Sequence, residues 1–251
     1  MFRPRIIPVL LLKNQILVKS VGFNNYKYIG DPINAVRIFN DSKADELVFL
    51  DITATKENRI IDLDFVKDVG EEANMPFAVG GGIRSIKDIQ AIINAGAEKV
   101  VINSYAAEQP DFVEQAADTF GSSTITICID AKKKFLKGLR AWTKGGTEAV
   151  PFDPVTFAKL MEAKGAGEII IQSIEKDGTM EGYDIPLIRS ISGAVNIPVI
   201  ALGGAGDLDD LKEAYQDGYA NGLAAGSMFV YIGPHKGVLI NYPEREQIQF
   251  K

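Results

Sequence analysis

The chain alternates between two rhythms. Short apolar runs, such as RIIPVLLL from residue 5 and EIIIQS from residue 168, give way to longer stretches in which apolar and polar positions mix with a helical spacing. The first rhythm predicts buried strands and the second amphipathic helices; their alternation is the signature of a parallel sheet covered by helices. The runs predict strands over 5–12, 46–51, 76–80, 99–103, 124–130, 168–173, 198–203 and 221–226, with helices filling the gaps. Short oxygen-bearing side chains stand where helices would begin: Asp31 before Pro32, Ser85, Asp111, and Asp153 before Pro154. Such residues accept from the free N–H groups of a first turn, and proline fits that turn because it has no N–H to leave unpaired. Eight strand–helix units in 251 residues match the size of an α/β protein of the (β/α)8 TIM-barrel class. No linker, biased segment or shift in composition divides the chain, so 1–251 reads as a single domain.

The pattern repeats. AVGGGIRSIKDIQAIINAGAEKVVINS (78–104) aligns with ALGGAGDLDDLKEAYQDGYANGLAAGS (201–227), and ELVFLDITATKE (46–57) with EIIIQSIEKDGT (168–179). IIPVLLLKN (6–14) aligns with ITICIDAKK (125–133), which sets Leu11 over Asp130. A period of about 120 residues, four strand–helix units, predicts a barrel made of two similar halves.

Composition narrows the partners. A net charge of −6 argues against a nucleic-acid surface, and the single cysteine, Cys128, excludes a disulfide framework and suits a reducing cytoplasm. The opening MFRPRIIPVLLL is too short an apolar run to span a bilayer and lacks a small-residue cleavage site, so neither a signal peptide nor a membrane partner is expected. With one histidine, His235, a metal site built on several His or Cys ligands is not expected, and no cofactor motif is read.

Chemistry enters at the strand ends. GGG (80–82) and GG (203–204) each close a strand and precede a helix, and each is followed one strand later by a small polar pair, Asn103–Ser104 and Gly226–Ser227. Glycine lets backbone N–H groups approach an anion, and a helix start favours negative charge. One such cluster fits a tight turn equally well; two at symmetric positions favour a pair of phosphate cradles, and hence a phosphorylated small molecule with an anionic group at each end. Three carboxylates follow strands: Asp51 in FLDIT, Asp130 in CIDAK and Asp177 in EKDGT. Barrel enzymes place their catalytic groups there, although each residue could instead cap a turn, Asp177 before Gly178 above all. Asp130 ends an unbroken apolar strand and should project into the mouth. At the opposite ends, Arg5, Glu46, Lys99 and Glu168 stand at the starts of strands one, two, four and six. Singly each is an ordinary solvated charge; four of balanced sign at a narrow floor would have to pair. Cys128, Tyr105, Trp142 and His235 read as packing or surface residues.

These motifs together resemble the cyclase subunit of imidazole glycerol phosphate synthase, the HisF family, across nearly the whole chain. The resemblance rests on DELVFLDIT (45–53), VGGGI (79–83), CIDAK (128–132), GAGEI (165–169), DGT and GYD within 177–184, and GGAG (203–206). It implies a class I glutaminase docked on the floor and ammonia travelling through the barrel past a charged gate, which falls on Arg5, Glu46, Lys99 and Glu168. It places the phosphate sites on Gly82, Asn103 and Ser104, and on Asp177, Gly178, Gly204, Gly226 and Ser227, and a mouth-loop lysine on Lys19. AAGS departs from the family's usual AAS at the second site.

One departure bears on chemistry. The family's two catalytic aspartates act as acid and base in ring closure; this chain has Asp130 but VLL (9–11) where the other is expected, so Leu11 occupies its place. KYIGDPINAVRIFN (27–40), PVLLLK (8–13) and the tail from AAGSMFV to VLINYP (224–242) resemble instead a HisF-like acetamidino-modification paralogue found with surface-sugar genes. That resemblance implies supply of ammonia, with a glutaminase, to an ATP-dependent sugar amidotransferase of O-antigen or flagellin-glycan biosynthesis. The alternatives are an active cyclase of histidine biosynthesis using Asp130 with a substitute acid, and an anion-binding barrel without catalysis.

Overall fold

The apolar runs become eight parallel strands in the computed structural model, which describes residues 3–244, 247 and 250; the remaining residues of the 1–251 reading lie outside the described ones. The strands are β1 (Arg5–Lys13), β2 (Leu47–Asp51), β3 (Phe77–Gly80), β4 (Lys99–Ile102), β5 (Ile125–Lys134), β6 (Glu168–Ser173), β7 (Val199–Leu202) and β8 (Gly222–Ala225). Each pairs with the next, and β8 pairs back onto β1 with Arg5 opposite Gly222, closing a TIM barrel. Around it lie α1 (Pro32–Asp41), α2 (Leu63–Glu72), α3 (Ile86–Asn94), α4 (Ser104–Glu108), α5 (Pro110–Phe120), α6 (Pro154–Ala163), α7 (Ile185–Ser192) and α8 (Leu208–Gln216). Two helices follow β4, and a 3-10 turn, Ser227–Phe229, follows β8. Among the described residues no helix is long and apolar enough to cross a membrane.

Closure splits the core in two. Residues of one strand parity, among them Ile6, Leu10, Phe49, Ile127 and Leu223, face outward and pack under the helices. Residues of the other parity, including Ile7, Val9, Val48, Cys128, Ile170 and Ala224, fill the lumen as a separate cluster, with Leu11 and Leu50 at its upper edge. Alternation along a strand forces this division, because successive side chains point to opposite faces. The helices are held at their starts as the sequence suggests for three of four expected caps. Asp31 accepts from the Asn34 N–H, Asp153 from Thr156, and Ser85 forms a reciprocal box with Asp88. Asp111 is no cap: α5 begins at Pro110, the cap position is Gln109, and Asp111 lies within the first turn. Asp62, Asp184 and Asp207 cap α2, α7 and α8 and were not singled out.

The sequence reading missed the additions at the mouth, where the strands' C-terminal ends lie. β1 turns back into a hairpin of strands Ile16–Val21 and Asn24–Gly30. β5 runs beyond Asp130 to Lys134 and pairs with Gly138–Thr143. After β8, Tyr231–Ile232 pairs with Gly237–Val238.

Backbone crowding at the mouth gives a direct test. Gly82 has φ +70°, and a Cβ there would lie 1.8 Å from the Arg59 carbonyl oxygen, whereas Gly138 has φ +69° with nothing within 4 Å. Both pay the left-handed backbone cost of about 1–2 kcal/mol when replaced. Chemical denaturation should therefore show Gly138→Ala losing about that much, and Gly82→Ala losing roughly 4 kcal/mol or more because backbone must move.

Candidate functional site

The floor is built first by charge. Arg5, the first residue of β1, pairs with both Glu46 and Glu168. Lys99, the first residue of β4, pairs with the same two carboxylates at 3.0 and 3.1 Å. The four groups form a closed ring in which each cation touches both anions. Glu46 and Glu168 are only 3% and 5% exposed. Carboxylates so buried require such compensation, since an unpaired one would cost several kcal/mol. Burial works against the Arg5 guanidinium, but Glu168 and Glu46 together outweigh it and its pKa rises.

Above the ring the lumen holds an apolar cluster that includes Ile7, Val9, Val48, Ile170 and the Cys128 thiol. Thr126 stands opposite Glu168 in the β5–β6 register, and its buried hydroxyl has no hydrogen-bond partner among the described residues.

At the mouth the two halves differ. On one side Asp130 is buried, with Asn103 Nδ2 donating to its Oδ2 at 3.2 Å and Cys128 Sγ 3.5 Å from its Oδ1. Asn103 also donates to the Cys128 carbonyl at 2.9 Å, while Ser104 Oγ donates to Asn103 Oδ1 at 3.1 Å and accepts from the Lys144 N–H at 3.0 Å. Asn103, Ser104 and Asp130 are thus one connected cluster. Burial raises the Asp130 carboxyl to about 7, the Cys128 bond opposes this, and Asp177 adds to it. Burial and Asp130 push the Cys128 thiol well up, so it stays a thiol.

On the other side Lys19, 5% exposed, donates from Nζ to the Val9 carbonyl at 2.6 Å. Burial lowers its pKa to about 8 against the pull of Asp177. Asp177 accepts from Ser20 Oγ at 2.7 Å, the Phe23 N–H at 3.2 Å and Gln172 Nε2 at 3.4 Å. Burial raises the Asp177 pKa even so. Leu11, Lys19, Asp177, Gly178, Gly204, Gly226 and Ser227 line one cleft, which holds about 30 Å³ of water-accessible space. It is small because Lys19 fills it: a Cβ at Gly226 would meet Lys19 Nζ at 2.4 Å.

The glycines are required by protein packing at each named position. A Cβ at Gly178 would meet the Ser20 carbonyl at 2.0 Å, and one at Gly204 the Gly182 carbonyl at 2.2 Å. The first glycine cluster stands apart from the cleft, with Gly82 against Arg59. Asp51 caps the turn after β2, accepting from Thr53 and Ala54 N–H groups and pairing with Arg59 Nη1 at 2.5 Å. Tyr105 packs edge-on against Phe112 at 5.0 Å, Trp142 donates to the Lys132 carbonyl at 2.9 Å, and His235 lies exposed in the last hairpin. Gln172, Ser20 and Arg59 went unnoticed. Gln172 had a signal, a polar residue at lumen parity in an apolar strand whose counterpart in the repeat is Leu50.

The Asp130 environment has a thermodynamic consequence. A carboxyl moved from 3.8 to about 7 favours the protonated folded state, so its stabilising share is whole below pH 4 and lost as pH rises to 7. Asp130→Asn removes this dependence. In urea titrations the variant should gain on the wild type by about 2 kcal/mol between pH 5 and pH 8.

Comparison with known proteins agrees with this architecture. The sequence pattern of the family described as "Histidine biosynthesis protein" matches residues 5–235. A protein of Leptospira interrogans described as "Putative imidazole glycerol phosphate synthase subunit HisF" is 42% identical over 98% of this chain and 97% of its own length. Relatives from Pseudomonas aeruginosa and Vibrio vulnificus, given the same description with the designations hisF2 and hisF3, are each 41% identical over 97% of this chain and 97% and 94% of theirs. The chain belongs to the histidine biosynthesis protein family, among its HisF-like members.

Proposed function

We propose that the chain is the ammonia-conducting barrel of a glutamine-dependent amidation system. A class I glutaminase docks on the floor and releases ammonia at the ring of Arg5, Glu46, Lys99 and Glu168. The ammonia crosses the lumen and leaves at the mouth for an ATP-dependent amidotransferase, which converts an N-acetyl group of a nucleotide-linked sugar into an acetamidine. The observation that carries the reading is a complete ionic ring at the floor combined with Leu11 at the mouth, where an aliphatic side chain can neither give nor take a proton.

Physical chemistry favours such a division. At neutral pH free ammonia is mostly ammonium, which has no lone pair to attack with. A lumen lined by Ile7, Val48, Ile170 and Ile200 disfavours the charged form, as burial disfavours any unpaired ion. Names given to the relatives, subunits of imidazole glycerol phosphate synthase, fit a barrel that works beside a glutaminase. The Asn103–Ser104 cluster and the cleft at Gly178, Gly204 and Ser227 serve in this reading as anion subsites for a phosphorylated ligand.

A second reading is favoured by one observation. Asp130 and Lys19 have pKa values near 7 and 8, so both can exchange protons at neutral pH, as an active cyclase using a substitute acid would need. A general acid or base contributes typically about 10²–10⁴-fold, and paired groups are non-additive. With Leu11 in place, cyclisation of the ribonucleotide substrate, assayed with the glutaminase present, should run at least about a hundredfold below a two-aspartate enzyme. The unmodified chain should not rescue a strain lacking that cyclase; robust rescue would promote the second reading.

Docking is testable separately. Size exclusion of the chain with its glutaminase should give a 1:1 complex at micromolar concentration. Absence of any complex would remove the conduit reading.

A further inference from the structure

The mouth carries a surface that the lumen chemistry does not use. Eleven large apolar residues are prominently exposed among the described residues, and all but Leu63 and Tyr219 lie on the three segments 16–30, 134–138 and 231–239, which follow or extend β1, β5 and β8. Phe135 and Leu136, at the tip of the β5 hairpin, are 88% and 90% exposed; Tyr28 reaches 64%, and Ile232 and Leu239 about half. The charge on these segments is equally one-sided. The stretches 13–30, 131–147 and 226–242 contain ten lysines and arginines and no aspartate or glutamate, in a chain with 33 acidic residues and a net charge of −6. Lys19 is buried, Lys132 lies over the Trp142 ring, and Lys144 pairs with Glu148. Lys133, Lys134 and Lys137 stand exposed around Phe135 and Leu136.

We propose that the three mouth hairpins form a docking collar for an acidic partner protein, the one that carries the ammonia-accepting centre. An apolar tip set among exposed cations fits an apolar pocket rimmed by carboxylates, and such complementarity speeds encounter and fixes register. Exposed apolar patches gathered on one face of an otherwise acidic, polar-surfaced chain mark interaction sites. A protein is favoured over an anionic bilayer by what lies between the hairpins: the buried Asp130 and Lys19 groups and the lumen outlet, which a bilayer would cover without offering an acceptor. The proposal rests on the conduit reading for the partner's activity, but the collar itself rests on exposure and charge alone.

Photo-crosslinking in cells expressing the whole system separates the two. The chain is made with Leu136→benzoylphenylalanine at the mouth or Tyr219→benzoylphenylalanine in the α8–β8 turn on the floor side, and adducts are identified by mass spectrometry. The mouth probe should join an ATP-utilising amidotransferase and the floor probe the glutaminase. A mouth adduct to an acidic protein without an ATP site would keep the collar and overturn the amidation reading. A lipid adduct, or none, at Leu136 would overturn the collar whatever the floor probe captures. As a second measure, Phe135→Ser with Lys133→Glu and Lys134→Glu should weaken partner binding at least tenfold. Because these side chains are solvent-exposed, the melting temperature should stay unchanged; unaltered binding would also overturn the collar.

Discussion

Closure of eight strands into a barrel is the constraint from which the rest follows. It compels every second strand residue into a lumen only a few side chains wide, with no solvent on either flank. A residue at that parity must be apolar, must find a partner, or must stand at one of the two open ends. Ile7, Val48 and Ile170 take the first course, Arg5, Glu46, Lys99 and Glu168 the second, and Asp130 and Gln172 sit at the end where the third is possible.

The two ends meet this constraint differently. At the floor, complementary charge is complete: two cations and two carboxylates each face partners of opposite sign. At the mouth, the carboxylates Asp130 and Asp177 and the amine Lys19 are buried with hydrogen-bond partners but incomplete charge compensation, so burial dominates and each is pushed toward its neutral form. The molecule therefore has an ion-paired floor and a mouth whose buried groups are shifted toward neutrality. Between these two ends the lumen is lined by apolar side chains such as Ile7, Val48 and Ile170.

The sequence made the barrel legible because its strands are unbroken apolar runs and six of its eight helices open on Asp or Ser caps. The floor ring was legible for the same reason: a charge beside the first residue of a buried run, as Glu168 is before IIIQS, stands out against its neighbours. The mouth was less so. KKKFLKGLR lies past the expected strand end at residue 130, yet Lys132 to Lys134 continue β5, because antiparallel pairing with Gly138–Thr143 satisfies their backbone without needing apolar side chains. The Asp111 cap failed because Pro110 itself opens the helix, so the aspartate falls inside the first turn. Glycines were read through anion chemistry, while the contacts of Gly178 with Ser20 and of Gly204 with Gly182 depend on long-range folding that no local pattern reports.

The half-barrel repeat shows where symmetry was kept and where it was given up. Glu46 and Glu168 occupy equivalent places and play equivalent parts in the ring. Their cationic partners do not repeat: the counterpart of Lys99 is Gly222, and that of Arg5 is Thr124. Gly222, lacking a side chain, stands directly opposite Arg5 in the β1–β8 register, so one long guanidinium reaches both carboxylates from its side of the ring. At the mouth, Leu11 answers Asp130 and Gly226 answers Asn103. The Asn103–Asp130 bond therefore has no twin across the axis, and the space it would fill is occupied by Lys19 against Gly226. A symmetric scaffold thus carries Asp130 with Asn103 on one wall and the Lys19 amine with Asp177 on the other. The difference across the mouth arises from two divergent pairs, Leu11 with Asp130 and Gly226 with Asn103, together with Lys19.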